Sequence, residues 1–299
     1  TYCQNQMVQL NGNIVGADTT GTWSTLGTGT FIPGPGYLNG LYDPSAGDVA
    51  AGSVTLILTS TSNFGCPPDR DTILITFNRI PTADFSHTNV CQESNMSFTD
   101  ASVANSGTLT GWSWSFGDNT NSIAQNPQHA YNSPGNFNVQ LVVTSSNGCT
   151  DTLVKPVTVY PLPQPSFDAS IACESYPTNF TNTSFIPSGT INSYAYDFNG
   201  IGSSNQSDPS FTFPTSGIYN VALTAVSNFG CTNTVIQQID VHAIPNAAFT
   251  AVPNPALVDQ DIVFTDVTNG NIISWQWNFG DGEGDNTEIT THSYPDGGV

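Results

Sequence analysis

The run Trp112-Ser-Trp114-Ser-Phe116-Gly-Asp118 places a ring at every second residue. It returns as Tyr194-Ala-Tyr196-Asp-Phe198-Asn and again as Trp275-Gln-Trp277-Asn-Phe279-Gly-Asp281. Alternation is the period of a β-strand, so the three rings of each copy share one face. A face carrying three large rings belongs to a core. Outward from these runs the spacing holds. Phe85, Phe167 and Phe249 recur at steps of 82 residues, as do Pro81, Pro163 and Pro245. Val139, Leu141 and Val143 alternate in the same way and match Val221, Leu223 and Ala225. Glycine turns precede these strands at Gly135 and Gly217, and Asn-Gly or Phe-Gly turns follow them. Short alternating strands with closely spaced turn signals predict an all-β chain of tandem immunoglobulin-like sandwiches. The proline-bearing joints Arg79-Ile80-Pro81, Pro161-Leu162-Pro163 and Ala243-Ile244-Pro245 divide the chain into 1–80, 81–161, 162–244 and 245–299. Joints this short predict neighbours set pole to pole in a semi-rigid rod.

Composition agrees. Of 299 residues, 37% are hydrophobic and 17 are Phe, enough apolar material for several cores. No run of apolar residues at helical spacing stands out. The 23 acidic residues face three basic ones, Arg70, Arg79 and Lys155, for a formal net charge of −20. Such a chain repels phosphate backbones and anionic lipid and attracts cations, calcium above all. No stretch approaches the ~18 apolar residues of a membrane span, and no signal peptide opens at Thr1. Both absences fit an internal window of a longer precursor. Six cysteines, the composition and the repeats place it outside the cell.

Trp114-Ser-Phe-Gly-Asp118, His129-Ala-Tyr131, Gly135 and Phe137-Asn-Val139-Gln-Leu141 together resemble the polycystic-kidney-disease (PKD) domain pattern. Trp277-Asn-Phe-Gly-Asp-Gly282 with His292-Ser-Tyr294 is a closer match. The middle copy departs from it, with Asp197-Phe198-Asn199-Gly200 in the turn and Phe211 at the histidine position. The first ~80 residues differ. Gly21-Thr-Trp23, Gly27-Thr-Gly-Thr-Phe31 and Tyr42-Asp-Pro-Ser45 resemble Ig-like repeats of giant surface proteins from gliding Bacteroidota. Asp71-Thr72-Ile73 and Asp151-Thr152-Leu153 are similar to the Asp-Ser/Thr-aliphatic O-glycosylation signal of that group, which makes Thr72 and Thr152 candidate modification sites. The resemblance implies type IX export and a part in an adhesin or surface filament.

Cys3 aligns with Cys91 and Cys173 at the A–B turn, and Cys66, Cys149 and Cys231 align at the F–G turn. The first module is therefore expected to lack strand A, and the last, ending at Val299, its final two strands. Such an incomplete domain is expected to need strands from another segment. No Cys-x-x-Cys pair exists, so disulfides are expected rather than zinc or redox chemistry. One pairing puts a bridge in each domain, Cys3–Cys66, Cys91–Cys149 and Cys173–Cys231. The A–B and F–G turns of an immunoglobulin sandwich lie at opposite poles, however, a strand length of ~20–27 Å apart, whereas a bridge needs Cα atoms within roughly 7 Å. A head-to-tail chain of domains favours Cys3–Cys149 and Cys91–Cys231, with Cys66 and Cys173 bonded outside this window.

Catalytic signatures are missing from the sequence. No Gly-x-Ser-x-Gly, His-Glu-x-x-His or phosphate loop occurs. His129 and His292 hold a position that Phe211 also fills, which marks it as structural. Asp281, Glu283 and Asp285, with Glu288 nearby, form an acidic Gly-rich turn, a candidate calcium site but not an EF-hand. Trp23 is the aromatic least tied to the repeat pattern. The expected function is a non-catalytic stalk or adhesin segment. Its expected partners are further repeats of the same chain, neighbouring filaments, and surface glycans or proteins. The alternative is an accessory PKD region of a secreted hydrolase or protease.

Overall fold

Alternating apolar residues become the inner faces of paired sheets throughout the chain. A computed structural model describes residues 1–16, 19–61, 65–270 and 272–296. Val299, where the last repeat was expected to stop, lies outside the described residues. The chain divides into two compact units, Thr1–Pro161 and Leu162–Val299.

In the first unit, residues 1–78 form a sheet in the order Tyr2–Cys3, Arg70–Asn78, Ser53–Ser60, Gly21–Thr25. A second sheet orders Val8–Gln9, Leu41–Asp43, Thr30–Ile32. Their inner faces meet in a core of Val8, Leu10, Trp23, Tyr42, Leu56 and Phe77 with their neighbours. Trp23 is held firmly. It is buried, and its Nε1 donates to the Leu38 carbonyl at 3.1 Å. The sequence offered no helix, yet Ala46–Ala51 is one. Ser45 caps it, the Ser45 and Asp48 side chains close a reciprocal capping box, and Gly52 ends it in the left-handed region.

The sandwich of residues 81–160 sets Gln128–Ala130, Asn95–Asp100 and Phe85–His87 against a five-stranded sheet. That sheet runs Asn121–Ser122, Leu109–Ser115, Gly135–Ser145, Thr150–Tyr160, Val90–Cys91. The long hairpin pairs Gly135 with Val159 through to Thr144 with Thr150. Phe85, Phe98, Trp114, Phe116, Tyr131 and Leu141 fill the space between the sheets. Trp114 Nε1 donates to the Ala124 carbonyl at 2.8 Å, so the buried indole leaves no polar group unpaired.

The second unit repeats this plan over residues 163–242. Phe167–Ala169, Pro177–Asn182 and Ser210–Thr212 face Ala172–Cys173, Thr232–His242, Gly217–Ser227, Ile191–Phe198 and Ser203–Ser204. Phe167, Phe180, Tyr196, Phe198, Phe213 and Leu223 form its core. The last repeat contributes Phe249–Val252, Ile262–Asp266 and Ile289–His292 in one sheet and Trp277–Asn278 with Gly284–Asp285 in another. Its rings are less covered than expected. Trp277 is half-buried, and Phe249 is 59% exposed where Phe85 and Phe167 are 2% and 3%. Among the described residues, this repeat has no counterpart of the Gly135–Ser145 and Thr150–Tyr160 hairpin that covers those rings in residues 81–160.

Candidate functional site

Two features recur or connect, and both grow from short stretches of backbone. The first is a bridged joint within the first unit. Ser145 N donates to Cys149 O, and the hairpin turn between them places Gly148 at φ 77. A left-handed residue closes such a turn, which suits glycine. This presents Cys149 to Cys3 at the start of the first module. The two are joined by a disulfide with Cα atoms 5.7 Å apart, across 146 residues of sequence. Both half-cystines are buried, at 7% and 1% exposure, so solvent thiols reach the bond only if the joint opens. Around it, Asn105 Nδ2 donates to the Ile80 carbonyl and to Thr82 Oγ1, each at 2.9 Å, and Asn147 Nδ2 donates to Ser106 Oγ. The linker is thus gripped by the loop at 105–107. Cys91 and Cys231 are also disulfide-bonded, while Cys66 and Cys173 carry no disulfide among the described residues.

The second feature is a ring clasp at the Phe-Gly-Asp turn. His129 stacks on Phe116 with centroids 4.3 Å apart and planes at 9°, and meets Tyr131 edge-on. Its Nε2 lies 2.7 Å from Asp118 Oδ2. The Tyr131 hydroxyl donates to the Phe116 carbonyl at 3.0 Å, closing the turn onto the next strand. The last repeat builds the same clasp from Phe279, His292, Tyr294 and Asp281, with His292 stacked at 4.2 Å and 4° and its Nε2 2.7 Å from Asp281. In the middle repeat Phe211 stacks on Phe198 at 4.1 Å and 9°. Phenylalanine thus does the stacking that histidine does elsewhere.

Electrostatics support a structural role. Burial works against the charge on Asp118, but the Thr120 hydroxyl and His129 outweigh it and hold the carboxyl below the usual aspartate range. Burial pushes the Tyr131 hydroxyl well up. Thr120 Oγ1 also lies 3.3 Å from His129, but at the same Nε2 that faces Asp118. A nucleophile–base–carboxylate relay uses opposite ring nitrogens, so Thr120, His129 and Asp118 do not form one.

In the acidic turn read as a candidate calcium site, the Asp281 and Asp285 carboxylates engage groups of their own repeat, and Glu283 lies 3.7 Å from His292 Nδ1. Asp281 spends one oxygen on His292 and the other on the Glu283 amide. Asp285 accepts from the Asn286 amide and from the Thr287 and Thr290 hydroxyls. Calcium takes six to eight oxygens converging on one point. Among the described residues no group of three His, Cys, Asp or Glu is gathered to hold a metal.

Thr72 and Thr152 are exposed on the strands Arg70–Asn78 and Thr150–Tyr160. Asp151, read from sequence as part of a modification signal, has a structural partner: its Oδ2 accepts the Ala83 amide at 2.8 Å and ties the start of the repeat to its last strand. Asn233, one repeat later, donates to the Pro163 carbonyl at 3.0 Å. Sequence reading also missed Asp48, buried at 5% exposure, which accepts from Thr28 N, Gly29 N, Ser45 N and Tyr42 Oη. The spacing Ser45-x-x-Asp48 was the available signal.

Sandwich repeats of this kind, clasped at an aromatic-x-Phe-Gly-Asp turn, define a class of immunoglobulin-like module. The PKD domain family matches residues 78–160, 158–244 and 242–299. The chain belongs to that family. It is similar to the PKD1 domain of Vibrio anguillarum Epp, at 28% identity over 28% of this chain and 96% of that one, with a TM-score of 0.26. It is similar also to the PKD1 domain of the Vibrio cholerae metalloprotease PrtV, at 30% identity over 27% of this chain and 98% of that one, with a TM-score of 0.25. Fibronectin(III)-like modules of Clostridium thermocellum CbhA share 15% identity over 55% of this chain and 95% of theirs, with a TM-score of 0.29. PKD domains are non-catalytic modules. Among the described residues no helix is long and apolar enough to cross a membrane.

Proposed function

We propose that this chain is a structural stalk segment of a secreted, cell-surface adhesin or filament and performs no catalysis itself. The observation that carries this reading is the Cys3–Cys149 bond. It spans the joint between the first module and the first PKD repeat instead of closing one domain on itself. Tension entering at Thr1 passes through sulfur to Cys149 and bypasses the residues between them. A second bond in the same register, Cys91–Cys231, belongs to the proposal. The 82-residue step from Cys149 to Cys231 supports it, and so does the oxidised state of both cysteines.

Origin in a Bacteroidota-type giant surface protein and export through the type IX pathway belong to the same reading. They rest on the sequence likeness of residues 1–80 and the Asp-Thr-aliphatic runs. So does an extracellular location, where disulfides persist. Further repeats, neighbouring filaments and surface glycans or proteins are the partners this role implies.

Single-molecule stretching of the full chain tests it, with handles on Thr1 and on a reactive residue replacing exposed Gln164. At ~3.5 Å per residue the oxidised protein lengthens by roughly 60 Å, and the Cys3→Ser/Cys149→Ser variant by roughly 500 Å more. Equal extension of the two proteins sinks the stalk reading. The accessory-module alternative is distinguished by the complete precursor, where a catalytic domain beside these repeats decides for it.

A further inference from the structure

The last strand of each PKD sandwich lies at a sheet edge, and the two complete repeats treat that edge differently. In the first, Thr150–Tyr160 pairs on its outer side only at Val159 and Tyr160, with Val90 and Cys91. The remainder is guarded. Pro156 has no amide to offer. Lys155 folds across to the Phe85 carbonyl at 2.6 Å and to Asp84, and Asn89 Oδ1 accepts the Thr158 amide. Proline and an inward-reaching lysine are the devices that keep an edge from recruiting another strand.

In the second repeat, Thr232–His242 pairs on its outer side only at Val241 and His242, with Ala172 and Cys173. Gln237 and Gln238 stand where Lys155 and Pro156 stand, and exposed Ile171 replaces Asn89. Asn233 secures one end through Pro163. The outward amides of Ile236, Gln238 and Asp240 and the outward carbonyls of Ile236 and Gln238 have no hydrogen-bond partner among the described residues, while the Asp240 carbonyl is taken up where Ala172 pairs with Val241. Ile236 is 65% exposed on this strand, and Ile218, paired with Asp240 on the neighbouring strand, is 67% exposed. Both lie on the outer face of the sheet, Ile236 on the edge strand itself and Ile218 one strand further in.

Charge selects the occupant. Residues 162–299 contain no lysine or arginine, because Arg70, Arg79 and Lys155 all precede them, while acidic residues run throughout. A second copy of a chain with net charge −20 is repelled. A cationic segment is drawn in.

We propose that the open edge Val235–Asp240 is a docking site for an extended, β-branched peptide segment of another protein, flanked by lysine or arginine and added as an extra strand. Backbone hydrogen bonds supply affinity, and Ile236, on the strand that the segment would join, receives an apolar side chain.

The test uses the full chain and a labelled peptide, Lys-Lys-Thr-Ile-Thr-Val-Thr-Ile-Lys-Lys, read by fluorescence anisotropy and by amide exchange. Saturable binding is expected, weakening with added salt, with slowed exchange confined to Val235–Asp240 and the strand beside it. Gln237→Lys/Gln238→Pro transplants the guard of the first repeat, whose own fold accommodates that pair, and weakens binding roughly tenfold or more. Ile236→Lys, which leaves the backbone donors in place, weakens it as well. A peptide with glutamate replacing every lysine does not bind. Undiminished binding by the transplanted variant, protection elsewhere in the chain, or no binding by the wild type overturns the proposal. Self-association of the wild type through this edge in sedimentation also overturns it, since the occupant is then a second copy.

Discussion

Buried polar side chains carry the sharpest consequences of single substitutions. Asp48 satisfies three backbone amides and the Tyr42 hydroxyl inside the first module. Asp48→Ala leaves the Thr28 and Ser45 amides without that acceptor, while Gly29 keeps Tyr42 Oη and Tyr42 keeps Thr25 Oγ1, and is expected to cost about 3 kcal/mol in urea denaturation. Tyr131→Phe is milder, about 1 kcal/mol, because one carbonyl loses one donor and Phe213 fills the same place in the next repeat. His129→Phe should change stability by less than about 1 kcal/mol, given the Phe211–Phe198 stack. A melting shift larger than that for Tyr131→Phe would make the His129–Asp118 contact more than ring filling. The carboxylates set the pH response. Asp48 is buried and Asp100 and Asp118 are half-buried, which opposes their charge, yet hydrogen bonds hold each below the usual aspartate value. A depressed carboxyl stabilises the fold above its unfolded value and stops doing so as pH falls through its lower folded value. Thermal stability should therefore hold from neutral pH to about 5 and drop below about 4. Relief of the −20 charge would act in the opposite direction, and a melting temperature that rises on acidification would show that self-repulsion dominates.

At the scale of elements, the Phe-Gly-Asp turn shows how one backbone angle sets a strand pair. Gly117 lies at φ 82, and a Cβ there would meet the Asn138 carbonyl at 2.8 Å. The middle repeat places Asn199 at this point with φ 61, and its side chain accepts the Asn220 amide. Asparagine tolerates the left-handed region and can satisfy a neighbouring amide. Gly117→Asn is thus expected to cost under about 1 kcal/mol and Gly117→Val above about 2 kcal/mol, by chemical denaturation. Equal costs would show that the turn relaxes freely. The alternating strands and this turn were legible in the sequence because period and turn chemistry are local properties. The helix Ala46–Ala51 was not. A six-residue helix shows too little periodicity, and its stability comes from a cap and a buried carboxylate whose partners lie about 20 residues away.

For the molecule, the disulfide couples what would otherwise be independent cores. The loop it closes, 146 residues, gives a chain-entropy contribution of up to about 5 kcal/mol. With the bond intact, calorimetry should show the cores of residues 1–78 and 81–160 melting together. In Cys3→Ser/Cys149→Ser they should separate into two transitions, the first below the wild-type midpoint. An unchanged single transition would mean that the noncovalent grip around Asn105 and Ser106 suffices to couple them.

The sequence by itself determined the all-β repeats, the residues of the cores and the turns, because these follow from side-chain period and backbone preference within a few residues. It also narrowed the cysteine pairing to two schemes. Only the tertiary structure decided which distant groups meet. It placed Cys3 beside Cys149 and turned Asp281 and Asp285 onto neighbouring groups of their own repeat. It also left the Val235–Asp240 edge open where the preceding repeat closes it. Such pairings depend on how strands far apart in the chain are brought together, and residue order alone does not encode those distances in any local pattern.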